Sequence, residues 1–223
     1  MSSTAAHNYR RLCQQIADKA QQCGRDPDSV NLIVVSKTHP WDQVFPVYEE
    51  GCMNFGENRI QEALPKIQAS PEGIAWHLIG TLQKNKVRKA VESFTYIHSV
   101  DNLELAKKIA EVSVEMGKTT SIFLQVNVSG EETKHGFTLE TLKEQYYDIY
   151  VHPGIRIEGL MTMAPHLERE KYIRECFAQL RSLKDELGLH HLSMGMTQDW
   201  QLAVEEGATF LRVGSAIFGE RDL

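Results

Sequence analysis

Eight short apolar or alternating runs, separated by stretches of helical periodicity, constrain this chain more than any other feature of it. They are "NLIVVS" (31–36), "CMNFGEN" (52–58), "AWHLIG" (75–80), "FTYIHSV" (94–100), "SIFLQVNV" (121–128), "IRIEGLMTM" (155–163), "HLSMGM" (191–196) and "TFLRVGS" (209–215). Their length and their β-branched or aromatic content predict strands. Between them, Leu103, Ala106, Ile109, Ala110 and Val114 recur at helical spacing, with Asp101 or Asn102 as a cap and Gly117 as a stop. Ile173, Phe177, Leu180, Leu183 and Leu187 do the same before Gly188. Strands alternating with helices indicate parallel β/α units. An open doubly wound sheet and a closed (β/α)8 TIM barrel compete, and a count of eight favours the barrel, at the compact end of its usual size. No Pro/Gly/Ser-rich linker or low-complexity tract marks a second domain. The expectation is therefore a single α/β domain over residues 1–223, with an extra amphipathic helix near residues 7–23.

Charge and cysteine usage narrow the function classes. Lys plus Arg total 24 against 30 for Asp plus Glu, a formal charge of -6, which argues against a nucleic-acid surface. "LQKNKVRKA" (82–90) lacks interleaved aromatics and reads as a solvated helix face. No apolar run reaches the about 20 residues that a membrane span needs. The start, "MSSTAAHNYRRLCQQ", has no signal-peptide core, so a cytoplasmic protein is expected. A monomer is the expectation for its assembly, although neither oligomeric state nor protein partners are legible in the sequence. Cys13, Cys23, Cys52 and Cys176 form no C-x-x-C pair and read as reduced, packed thiols. His190 and His191 are adjacent and would face opposite sides of a strand, so no metal site is expected.

In a barrel of this kind the active site gathers at the C-terminal ends of the strands. Those ends carry Ser36 and Lys37, Gly56 to Asn58, Gly80 and Thr81, Ser99 and Asp101, Asn127 and Ser129, Thr162, "SMGMTQD" (193–199) and "RVGSA" (212–216). Turn chemistry alone accounts for part of this polarity. The last two loops say more, because barrels often hold a phosphate there. Each offers a glycine and a hydroxyl, Gly195 with Thr197 and Gly214 with Ser215. Ordinary helix capping explains either one alone; two adjacent loops of this type together favour a phosphate. Across the barrel, Lys37 at the mouth of the first strand suits a Schiff base with a phosphorylated aldehyde, and pyridoxal 5'-phosphate (PLP) joins both groups in one small molecule.

At these residues the chain resembles the pyridoxal phosphate homeostasis proteins, whose barrel is similar to the N-terminal domain of alanine racemase (a fold-type III PLP barrel). The matching stretches are "VVSKTHP", "FGENRIQEA", "WHLIGTLQKNK", "SVDNLELAKKI", "LQVNVSGEETKHGF", "EGLMTMAP", "LSMGMTQD" and "LRVGSAIFGERD". The resemblance implies that Lys37 carries PLP as a Schiff base. It implies that Gly214, Ser215 and the 193–197 loop, from Ser193 to Thr197, hold the phosphate, with Asn58 and His77 lining the pocket. Thr197 stands where the family motif usually has serine, and the hydroxyl is kept. Arg212 would face the pyridine nitrogen, where a fixed cation disfavours protonation and weakens the ring as an electron sink. His98 and Asp101, a conceivable catalytic pair, read instead as packing and capping groups.

The function expected is a cofactor carrier or buffer for intracellular PLP homeostasis, without strong catalytic activity. The alternative is a PLP-dependent amino-acid racemase or decarboxylase. Alanine racemases add a C-terminal β-domain with a second catalytic base, whereas this sequence ends at Leu223 directly after the barrel pattern.

Overall fold

A computed structural model describes residues 3–131, 133–165 and 169–219. Its eight strands are β1 (Asn31–Val35), β2 (Asn54–Glu57), β3 (Ala75–Leu78), β4 (Tyr96–Val100), β5 (Thr120–Gln125), β6 (Ile155–Met161), β7 (His191–Ser193) and β8 (Phe210–Val213). They close into one barrel in sequence order. Every pairing is parallel, and β1 meets β8 with Ile33 opposite Arg212. The (β/α)8 expectation is therefore correct. The connecting helices are α2 (Trp41–Glu49), α3 (Ile60–Ala69), α4 (Val87–Ser93), α5 (Leu103–Glu115), α6 (Leu139–Tyr150), α7 (Glu170–Glu186), α8 (Trp200–Glu205) and α9 (Ser215–Phe218).

The extra helix, α1 (Thr4–Gln22), starts a turn earlier than its apolar stripe predicts because Ser3 caps it, its hydroxyl accepting from the Ala6 N–H at 3.2 Å. Its buried face, Ala6, Leu12, Ile16 and Ala20, packs against α2, α8 and α9. Arg25, just beyond it, donates to the carbonyls of Val204 and Ala208 at 2.7 Å each, satisfying backbone acceptors at and after the end of α8. Of the two caps expected for α5 it is Asn102 that serves, accepting from the Leu105 N–H at 2.8 Å.

Two apolar layers follow from the alternation of side chains along each strand. Outward residues such as Val34, Phe55, Ile97, Ile122, Leu124 and Leu211 pack under the helices. Inward residues Ile33, Phe123, Met161 and Phe210, joined by Tyr96, fill the barrel itself. The interior is thus solid, and a ligand can enter only at its ends. No helix of the described residues is long and apolar enough to cross a membrane.

Candidate functional site

One cavity of about 1450 Å³ opens over the C-terminal ends of the strands. Lys37, Asn58, Thr197, Arg212, Gly214 and Ser215 all line it, so loops after the first two strands and after the last two share a single volume. Lys37 follows β1 on the inward side of the alternation, and its neighbour Ser36 points outward. The chain then turns left-handed at Thr38, with φ 70°. For a β-branched residue this conformation is strained, typically by about 1–3 kcal/mol. A backbone bond from the His39 N–H to the Ser36 carbonyl, at 3.2 Å, closes the turn.

The outward face beneath Lys37 holds a group that sequence reasoning did not single out. Ser36 Oγ donates to Glu57 Oε1 at 2.6 Å, and Lys66 Nζ from α3 donates to the same oxygen and to the Ser36 carbonyl, each at 2.6 Å. Glu57 is fully buried and Lys66 nearly so. This triad joins the ends of β1 and β2, from which Lys37 and Asn58 project into the cavity. Burial pushes the Glu57 carboxyl above its usual range, while Lys66 and Ser36 pull it back. The signal was a glutamate at the end of an apolar strand and a lysine nine residues on, within "FGENRIQEALPK". Asn58 is itself fixed from the side: a Cβ on Gly80 would lie 2.2 Å from the Asn58 carbonyl oxygen, so only glycine fits the end of β3.

Opposite, Ser215 Oγ donates to Thr197 Oγ1 at 2.9 Å, joining the two loops expected to hold an anion. Gly214 lies against β1, where an added Cβ would stand 2.9 Å from the Val35 carbonyl oxygen. The loop before α8 is held by Asp199, which accepts from the Met196 N–H at 2.5 Å.

Arg212 forms the floor. Its Nη1 donates to Ser193 Oγ and its Nη2 to the Thr162 carbonyl, both at 2.7 Å. Burial lowers its guanidinium to about 10, with Asp199 acting against that shift, and it stays a cation at neutral pH.

Two expected residues lie elsewhere. His77 was expected to line the pocket but is fully buried one layer below it, stacked on Tyr96 at 4.7 Å. The residue of this strand end that reaches the cavity is Ile79, two positions on. Ser193, expected in the phosphate loop, is also fully buried and serves Arg212 from beneath. Strand tilt and register set this depth, and period-two alternation does not encode it. His98 and Asp101 do not pair: His98 faces Ser193 and His77, whereas Asp101 faces His135 at 3.7 Å. Among the described residues no cluster of His, Cys, Asp or Glu could hold a metal.

Barrel and cavity together define a (β/α)8 domain of the alanine racemase type, and the family model described as "Alanine racemase, N-terminal domain" matches residues 3–222. The pyridoxal phosphate homeostasis protein of Pseudomonas aeruginosa is 40% identical, over 99% of this chain and 97% of its own. That of Aquifex aeolicus is 38% identical, over 97% and 98%. The chain belongs to the pyridoxal phosphate homeostasis protein family. Among solved structures, PipY of Synechococcus elongatus without PLP is similar with a TM-score of 0.84 and 40% identity, covering 92% of this chain and 100% of PipY. A second PipY structure, with PLP bound, gives 0.81 at 39% identity over the same shares.

Proposed function

We propose that the cavity binds pyridoxal 5'-phosphate, attached covalently through Lys37, and that the protein carries or buffers this cofactor rather than turning over a substrate. The observation that carries the reading is the meeting of Lys37, Arg212 and the Thr197–Ser215 hydroxyl pair in one cavity. The PLP-bound structure of a relative 39% identical in sequence supports it. The residues fit the group. Thr197 and Ser215 offer hydroxyls to a phosphate, and Gly214 leaves the backbone beside them uncovered. Arg212, a donor with no acceptor atom, suits an unprotonated pyridine nitrogen.

When bound, the cofactor supplies an aldehyde that condenses reversibly with amines and a ring that withdraws electrons. The chain's own residues favour the first property over the second. Arg212 remains cationic and would disfavour a proton on a ring nitrogen placed against it, which would weaken electron withdrawal. Racemisation needs a base on each face of a carbanion. Several other titratable groups of the cavity are already engaged. Asp199 caps the Met196 N–H, Glu205 is held by Lys19 and Arg174, and His39 stacks on Phe218 at 4.5 Å. The cavity also exceeds the roughly 300–1,000 Å³ usual for a small-ligand site, leaving room for an incoming amine. The four cysteines are free thiols, which fits a reducing, cytoplasmic setting.

Borohydride reduction followed by peptide mass mapping tests the attachment: the adduct should fall on Lys37 and vanish in Lys37→Ala. An adduct mainly on Lys84, Lys86 or Lys134 would defeat the assignment. The PLP-loaded protein should restore activity to a cofactor-dependent apo-enzyme without multiple turnovers of any amino acid. Sustained racemisation or decarboxylation that is lost in Lys37→Ala would instead favour an enzyme.

A further inference from the structure

Beneath the cavity a line of polar side chains crosses the barrel interior among Ile33, Phe123, Met161 and Phe210, and none of its inner members lines the cavity. Arg212 Nη1 lies 2.7 Å from Ser193 Oγ, which lies 2.8 Å from His98 Nδ1. His98 Nε2 lies 2.9 Å from His77 Nδ1, and His77 Nε2 lies 3.1 Å from Asn54 Oδ1. The line joins β8 and β7 to β4, β3 and β2. Aromatic rings wall it: His98 stacks on Phe123 at 4.2 Å and His77 on Tyr96 at 4.7 Å.

Hydrogen-bond chemistry gives this line a direction. Arginine has donors only, so Ser193 Oγ accepts from it. The serine has one proton left, and His98 Nδ1 is the acceptor in reach. His98 then carries its proton on Nε2 and donates to His77 Nδ1. His77 in turn carries its proton on Nε2 and donates to the carbonyl oxygen of Asn54. Every proton in the line is used once. The opposite sense needs the Asn54 amide turned over, and it makes Ser193 a double acceptor whose own buried proton lacks this partner, a costly arrangement. A protonated imidazole is disfavoured by burial and by the nearby Arg212 cation.

We propose that Asn54, His77, His98 and Ser193 are positioning residues: a one-directional hydrogen-bond chain that presents Ser193 Oγ as a fixed acceptor and so sets the orientation of Arg212 at the cavity floor. The chain's consequence for the cofactor rests on the reading that Arg212 faces the ring nitrogen of PLP. Its direction does not rest on that reading.

Two measurements test the proposal. The first uses ligand-free protein labelled with 15N-histidine, with the His77 and His98 signals assigned by His77→Gln and His98→Gln. Long-range 1H–15N correlations should show both rings neutral and protonated on Nε2. An Nδ1–H tautomer or an imidazolium at either residue would overturn the chain's direction. The second titrates wild type, Ser193→Ala, Asn54→Leu and Asn54→Asp with PLP, recording affinity and the pH midpoint of the bound cofactor's visible band. Ser193→Ala should weaken binding by about tenfold or more, the scale of one lost charged hydrogen bond. Ser193→Ala should also shift the band's midpoint; Asn54→Leu, which alters only the far end, should shift it in the same direction as Ser193→Ala, and Asn54→Asp, which keeps an acceptor, should restore it. A midpoint unchanged in Asn54→Leu would overturn the positioning role. Wild type that fails to bind PLP would refute the proposed function, while the tautomer measurement would still decide the chain's direction.

Discussion

Replacing Lys66 with methionine removes the cation from a carboxylate that has almost no other support. Glu57 is 0% exposed, its Oε1 accepts from Lys66 and Ser36 at 2.6 Å each, and its Oε2 has no hydrogen-bond partner. Removing one partner of a buried ion pair typically costs about 3–5 kcal/mol, because the remaining charge is left uncompensated. For a domain of this size each kcal/mol lowers the melting temperature by about 2–4 °C, so Lys66→Met should melt roughly 6–20 °C lower. Lys66→Met combined with Glu57→Leu removes both charges and should recover most of that loss. A residue of about 1 kcal/mol should persist, because the Ser36 carbonyl loses its donor in either variant.

The pH dependence gives this prediction its sign. Burial already raises the Glu57 carboxyl with Lys66 present. Without the cation it rises further, and the folded variant prefers the protonated acid. A carboxyl raised on folding loses stability as pH climbs from its unfolded value, near 4.3, toward its folded one. The penalty of Lys66→Met, measured against wild type by urea denaturation, should therefore be smaller at pH 5 than at pH 8. A penalty below about 1 kcal/mol at pH 8, or a double variant as unstable as the single one, would refute the argument that an uncompensated charge dominates.

The barrel was legible because each strand is a short apolar run and each run begins close to where the strand begins. The ends were less so. "HLSMGM" leaves the sheet after Ser193, since Gly195 turns at φ 94°, a conformation that an apolar pattern cannot announce. Helices α2 and α3 are harder to read because Pro46 and Pro65 sit inside them, where a proline ordinarily marks a stop. At the site, Lys37, Asn58, Thr197, Arg212, Gly214 and Ser215 could be read from strand ends and come together in one cavity. Depth along the barrel axis could not be read. His77 and Ile79 point the same way from one strand end, yet only Ile79 reaches the cavity. Pairs across the fold were invisible for a related reason. Nothing local to Ser193 or His98 specifies a bond between residues 95 positions apart; closure of the barrel makes it.

The same features predict three further outcomes. Gly214→Val should weaken PLP binding far more than pyridoxal binding, since its Cβ would meet the Val35 carbonyl beside the hydroxyl pair; equal losses for both ligands would remove the phosphate from this loop. Ser215→Ala should weaken PLP binding by about tenfold or more, the scale of one hydrogen bond to a charged group, and leave borohydride attachment on Lys37; an unchanged affinity would count against the hydroxyl pair. Acid should destabilise the fold through the two interior histidines. Burial lowers His77 to about 3 and His98 well below its usual value. Their unfolded value is near 6.5, so below that pH the unfolded chain binds protons that the folded one refuses. A histidine depressed on folding gives stability that is complete above its unfolded value and is lost as pH falls toward the folded one. Between pH 6.5 and 5 each should contribute a slope approaching about 1.4 kcal/mol per pH unit, and unfolding should take up nearly two protons from this pair. His77→Gln removes one of these titrating groups, so its unfolding should take up about one proton fewer at pH 5, measured by denaturation across the pH series. Parallel stability–pH curves for wild type and His77→Gln would mean that His77 titrates alike in both states, and would contradict its burial as a neutral ring.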